Sequence, residues 1–135
     1  MKYLLDTHIF IWAATEPKRL GPKVMRLLEN PGKAFFLSAA SLWEMAYLLE
    51  SKPNALKIKT PLAEFLQRNL RELRVQILDI TPAHAQRHYE IQPVPDHNDL
   101  FDRMIIAQGA STGLPVVSDD GKFPRCPMIR VIANG

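Results

Sequence analysis

The sequence predicts an α/β protein, a three-layer α/β/α sandwich with a mostly parallel central sheet. Two features carry that expectation. Short apolar runs at Tyr3-Leu4-Leu5, Ala34-Phe35-Phe36-Leu37 and Leu114-Pro115-Val116-Val117 lack polar alternation, which is the pattern of strands covered on both faces. They alternate with stretches whose apolar residues recur at helical spacing, and such alternation builds a parallel sheet clad in helices. The chain has 135 residues, 47% of them apolar and 23% charged. That is the size and composition of one soluble domain, assigned to 1–135.

Tyr3-Leu4-Leu5 is the first strand and ends at Asp6-Thr7, with Thr7 as N-cap of a helix over Ile9 to Ala14. Pro17 and Gly21-Pro22 break the chain before a second helix, Lys23 to Glu29, which Asn30-Pro31-Gly32 stops. Ala34 to Leu37 is the second strand, followed by Ser38 and a long helix from Ala39 to Leu49. After a loop at Ser51-Lys52-Pro53-Asn54, Pro61 opens an amphipathic helix. One side is marked by Leu62, Phe65, Leu66, Asn69, Leu70 and Leu73, and the other is basic, with Arg68, Arg71 and Arg74. Val75 to Ile80 is the third strand, and Thr81-Pro82 starts a short helix with His84 and His88 on an exposed face. The stretch 93–98 is a loop feeding a helix that opens at Asp99 and stops at Gly113. Leu114 to Ser118 is the fourth strand, Asp119-Asp120-Gly121 a turn, and Ile129 to Ile132 a last strand near an edge.

Composition narrows the function. Seventeen basic residues against 14 acidic ones give a formal charge of +3, which suits a polyanionic partner but is shared by many ordinary basic proteins. Cys126 is alone, so no internal disulfide forms and a reducing, cytoplasmic setting fits. Asp6 interrupts the N-terminal apolar run before a signal peptide can develop, and nothing approaches the ~18 apolar residues of a membrane span. Zinc is disfavoured because Cys126, His8, His84, His88 and His97 show no ligand spacing. No glycine-flanked serine marks a nucleophilic triad. Asp6-Thr7-His8 lacks the second aspartate of an Asp-x-Asp phosphotransfer loop.

The carboxylates are the unusual feature. Asp102 has Ile105 and Ile106 three and four residues ahead, and Glu44 has Tyr47 and Leu48, so both lie along apolar strips of their helices. Glu64, whose corresponding neighbours are Gln67 and Arg68, shows the ordinary solvated pattern. A charge pressed against apolar surface needs a partner. Asp6 and Asp120 each follow a strand, at the carboxyl edge where sites form in parallel sheets. Local readings compete. Ser41-Leu42-Trp43-Glu44 matches a capping box, and Asp99 suits an N-cap or an i,i+4 pair with Arg103. Asp102 suits the helix dipole, and Asp120-Gly121 suits a turn. If these groups share one cleft, their mutual repulsion calls for a cation, and an all-oxygen set suits Mg²⁺ or Mn²⁺.

Four segments carry a family resemblance: Leu4-Leu5-Asp6-Thr7-His8, Ser41-Leu42-Trp43-Glu44-Met45-Ala46, Asp99-Leu100-Phe101-Asp102-Arg103-Met104-Ile105-Ile106-Ala107-Gln108 and Val117-Ser118-Asp119-Asp120. Together the sequence resembles the PIN-domain ribonucleases, in the VapC-type toxin branch of type II toxin-antitoxin systems. The resemblance implies an endoribonuclease of PIN-like fold using one or two Mg²⁺ or Mn²⁺ ions on RNA, dimeric, and held inactive by a cognate VapB-like antitoxin. It places Asp6, Glu44, Asp102 and Asp120 at the acidic catalytic and metal positions, Asp99 as an extra acidic ligand, and Thr7 and Ser118 as supporting hydroxyls. RNA-backbone contacts are expected from Arg103 and from the basic helix face of Arg68, Arg71 and Arg74, which also reads as a solvated face. The run Ile9-Phe10-Ile11-Trp12 serves either an antitoxin groove or the core. Departures are His97-Asn98-Asp99-Leu100, where the branch has His-Arg-Asp-Pro; Ser118 in place of threonine; and the loss of an aromatic around Pro124-Arg125-Cys126. The alternative is a non-catalytic RNA- or protein-binding module whose acidic site is vestigial.

Overall fold

The computed structural model describes residues 1–91, 99–121, 123 and 128–135. The readings placed on 93–98 and on 124–126, with His97, Asn98 and Cys126, lie outside these residues. Five parallel strands form one sheet in the order β3-β2-β1-β4-β5: β1 (Lys2–Leu5), β2 (Ala34–Ser38), β3 (Val75–Leu78), β4 (Val116–Ser118) and β5 (Val131–Ala133). The helices are α1 (Thr7–Thr15), α2 (Pro22–Glu29), α3 (Ala39–Ser51), α4 (Leu62–Glu72), α5 (Pro82–Glu90) and α6 (Leu100–Thr112), with a 3₁₀ turn at Pro17–Arg19.

Alternate strand residues separate two cores, as the two-residue period of a strand demands. Tyr3, Leu5, Phe35, Leu37, Val75 and Val117 face α1 to α4, packing with Ile9, Phe10, Ile11, Val24, Met45 and Phe65. Leu4 and Val116 face the other way, against Ile105, Ile106 and Ala107 of α6. The sheet is therefore clad on both faces, which is why its strands read as unbroken apolar runs. Ile9 to Trp12 are all buried, so this run serves the core.

From β1 the chain winds to β2 and β3 on one side, then returns to place β4 on the other flank of β1. The carboxyl ends of β1 and β4 thus diverge at a switch in winding direction, the place where open parallel sheets form a crevice. Asp6 and Asp119-Asp120 directly follow those two strands.

Several local expectations are corrected. Asp6, not Thr7, caps α1, accepting from the Thr7 amide at 2.7 Å. The capping box at Ser41–Glu44 does not form: Ser38 caps α3, and Glu44 lies a full turn further into the helix. His84 is buried rather than exposed; its imidazole Nδ1 accepts from the Thr81 amide and lies 3.3 Å from Gln108 Nε2. Gln108 Nε2 also reaches the carbonyls of Leu78 and Asp79, so this pair closes the polar end of β3, which stops at Leu78. Arg74 falls outside α4, with φ of 56°. Gly113 ends α6 at φ 75°, a left-handed cap that glycine adopts without a Cβ penalty.

Candidate active site

Asp6 is 5% exposed and carries its hydrogen bonds on both oxygens. Oδ1 accepts from the Thr7 amide, and Oδ2 accepts from the Ser118 hydroxyl at 2.8 Å. Ser118 Oγ in turn accepts from the Asp120 amide at 3.0 Å, so one hydroxyl ties the ends of β1 and β4 together. The Thr7 and Ser41 hydroxyls share a buried 2.7 Å bond that fastens the start of α1 to α3. The two expected supporting hydroxyls thus orient Asp6 and brace the helix that presents Glu44.

Asp99 caps α6, accepting from the amides of Phe101 and Asp102 at 2.9 and 3.0 Å. Asp102 follows at the third helical position, where the helix dipole favours a negative charge. Glu44, Asp99 and Asp102 each offer an oxygen within 4.8 Å of the others. A cleft of about 410 Å³ is lined by these three together with Asp6, Asp119 and Asp120. Arg19, Trp12 and His8 complete its wall.

Burial is the main force on the buried acids, and their neighbours add to it. Asp102 is pushed up to about 8, first by desolvation and then by Asp6, Asp99, Glu44 and Asp120. Glu44 is pushed up to about 7 by desolvation, with Asp99 and Asp6 adding repulsion and the Thr7 hydroxyl opposing it. Asp6 is also raised, by desolvation first, against the restraining bonds of Ser118 and Thr7. One oxygen of Glu44, Oε1, is buried with no hydrogen-bond partner, an arrangement proteins avoid unless something else occupies the position.

The donor set fits a hard divalent ion. Its atoms are all carboxylate oxygens, the preferred ligands of Mg²⁺ and Mn²⁺. The unsatisfied Glu44 oxygen and the raised carboxyl pKa values are what a bound cation would relieve. The tightest triad is Glu44, Asp99 and Asp102, while both Asp6 oxygens already accept hydrogen bonds.

The expected basic residues do not gather here. Arg103 Nη2 donates to the carbonyls of His88 and Ile91, at 3.2 and 3.4 Å, and its Nε is buried without a partner. No ion pair joins it to Asp99 among the described residues. Arg68 and Arg71 line grooves on α4, separate from the cleft, and Arg68 meets Glu72 at 3.3 Å. Among the described residues the arginine that does reach the cleft, Arg19, was not singled out in the sequence. Its Lys18-Arg19-Leu20-Gly21 context reads as a surface turn. Asn134 was missed too. Buried near the C-terminus, it donates to Asp119 Oδ1 and to the Arg19 carbonyl, both at 3.0 Å.

The PIN domain family profile matches residues 3–127. Among curated proteins, Ribonuclease VapC22 of Mycobacterium tuberculosis is 28% identical over 120 residues, spanning 89% of this chain and 88% of that protein. The fold is shared with VapBC2 of Rickettsia felis bound to a promoter DNA fragment, at TM-score 0.72 and 19% identity, covering 98% of each chain. It is also shared with DNA-bound VapBC of Salmonella typhimurium, at TM-score 0.69 and 23% identity, covering 100% of this chain and 99% of that one. The resemblance read from the acidic motifs therefore holds along nearly the whole length, and the chain belongs to the PIN domain family.

Proposed function

We propose that the protein is a Mg²⁺- or Mn²⁺-dependent endoribonuclease, the toxin of a type II toxin-antitoxin system, built as one domain. One observation carries this reading: the buried Glu44 of α3, the half-buried Asp102 of α6 and its cap Asp99, beside buried Asp6 at the end of β1, meet in a single cleft with an unsatisfied oxygen among them. The ribonuclease named among its relatives supports the substrate class.

Glu44, Asp99 and Asp102 would hold the ion, with Asp6 and Asp120 completing the acidic set. Bound there, a divalent cation acidifies a water and offsets charge developing on a phosphodiester. The chain's own part is orientation. Ser118 and the Thr7 amide fix the Asp6 carboxylate, Asp99 holds the start of α6, and the apolar flank of Glu44 and Asp102 thins the water around them. Because Glu44 and Asp102 retain protons near neutrality, ion binding displaces those protons. The arginines of α4 would meet RNA only where a long substrate leaves the cleft.

A VapB-like antitoxin is the proposed inhibitor, as complexes of that type share the fold. A second copy of the chain is the proposed partner for the exposed side chains of Trp43, Tyr47 and Leu100. A cytoplasmic site of action is proposed, and no helix among the described residues is long and apolar enough to cross a membrane.

The test is cleavage of single-stranded and structured RNAs in Mg²⁺, Mn²⁺ or EDTA by wild type and Asp102→Asn. Cleavage that requires the ion and the carboxylate supports the reading. Cleavage that survives both EDTA and the substitution overturns it, and absence of cleavage together with absence of Mn²⁺ binding returns the protein to the vestigial-module alternative.

A further inference from the structure

Among the described residues the acidic cleft has one guanidinium in its lining, that of Arg19, and several contacts hold it there. Arg19 sits over the Trp12 ring, 4.0 Å from guanidinium carbon to ring centroid. A cation–π contact uses the charge over the ring and consumes none of the N–H donors as hydrogen bonds. The Glu16 carboxylate, 3.8 Å from Nη1, is too far for a hydrogen bond, and 54% of the side chain is exposed.

The backbone beneath it is pinned as well. The Arg19 carbonyl accepts from Asn134 Nδ2, which also donates to Asp119 Oδ1, and Asn134 Oδ1 accepts from the Gly21 amide at 2.8 Å. A Cβ at Gly21 would come within 2.0 Å of the Asn134 carbonyl oxygen, so the two segments touch backbone to backbone. Arg19 is thereby registered against the β4 end of the cleft by a buried amide 115 residues away in sequence.

A backbone phosphate entering a cleft of six carboxylates meets repulsion from them, and among the described residues Arg19 is the arginine that lines the cleft and can offset it beside a bound ion. We propose that Arg19 contacts an RNA backbone phosphate next to the one that is cut, and so sets how the strand enters. This rests on the reading of the cleft as an RNA-cleaving site.

The test measures binding of a labelled single-stranded RNA of mixed sequence across a salt series, with Ca²⁺ present to permit binding, and cleavage in Mn²⁺. Wild type, Arg19→Lys, Arg19→Gln and Arg19→Ala are compared. Arg19→Gln and Arg19→Ala are expected to raise Kd and KM about tenfold with kcat changed much less. They should also flatten the slope of log Kd against log salt by roughly 0.7, the share of one phosphate contact on a single strand. Arg19→Lys should restore the slope and part of the affinity, since it keeps the charge without the fork. A merely structural Arg19 would lower Tm and leave slope and KM as in wild type. With wild type cutting RNA and Asp102→Asn inactive, that result overturns the Arg19 assignment and leaves the function standing; a wild type that neither binds nor cuts RNA overturns both.

Discussion

Two hollows of nearly equal size sit on this molecule, and they treat charge in opposite ways. The cleft at the ends of β1 and β4 encloses about 410 Å³, and the groove between the end of α1 and α4 about 400 Å³. The groove mixes signs: Lys57, Lys59 and Arg68 stand among Glu64 and Glu72, with Arg68 meeting Glu72 at 3.3 Å. Among the described residues the cleft gathers six carboxylates and one arginine, and it sinks Asp6 and Glu44 below the surface. Charges that neutralise one another in water make an ordinary surface, whereas like charges held together out of water are a standing cost that protonation or a bound cation relieves. Volume does not separate the two hollows, but burial and sign do.

The largest expected difference between the hollows is in activity. Asp102→Asn or Glu44→Gln should lower RNA cleavage in Mn²⁺ by about 10²-fold or more, while Glu72→Gln in the groove should leave it within about twofold of wild type. Equal losses from both hollows would erase the distinction.

Stability against pH comes next. Glu44 at about 7 and Asp102 at about 8 bind protons more tightly folded than unfolded. Their contribution favours folding below the unfolded carboxyl range near ~4 and is lost as pH rises through about 8. In EDTA the protein should therefore lose stability steadily between about pH 5 and about pH 9. Asp102→Asn should flatten that decline and melt higher than wild type at the alkaline end, and Mn²⁺ should restore the wild-type protein there. Thermal melts across pH, with Glu64→Gln as the groove control, would show it; a wild type that gains stability with pH would contradict it.

A smaller effect concerns the frame of the cleft. Asn134→Ala removes a buried amide that serves Gly21, Arg19 and Asp119, and should cost about 1 to 3 kcal/mol by urea unfolding. The smallest belongs to the groove: Glu72→Ala breaks an exposed i,i+4 pair and should cost no more than about 0.5 kcal/mol.

These contrasts also show what a linear sequence can carry. Apolar neighbours three and four residues from Asp102 and Glu44, against polar neighbours for Glu64, are local facts, and they foretold which carboxylates are withdrawn from water. The parallel sheet was equally legible, because strands covered on both faces need no polar alternation. Pairings between distant segments were not. His84 looked like half of an exposed i,i+4 pair until Gln108 reached it across the fold. Ser41 looked like a cap, yet its hydroxyl is taken by Thr7. Arg103 stood next to Asp99 and Asp102 in sequence and turned instead to the carbonyls of His88 and Ile91. Arg19 and Asn134 meet only because β5 returns the chain's end beside β4, and nothing in either local sequence announces it.

Isothermal titration of Mn²⁺ into metal-free protein near neutral pH, in two buffers of different ionisation enthalpy, measures both the ion and the protons it displaces. Wild type should bind with a heat that depends on the buffer, reporting proton release from the Glu44 and Asp102 carboxyls, and Asp102→Asn should lose most of the binding. No binding by wild type, or binding that is independent of buffer and unchanged in Asp102→Asn, would contradict a cleft whose carboxylates are held together for a cation.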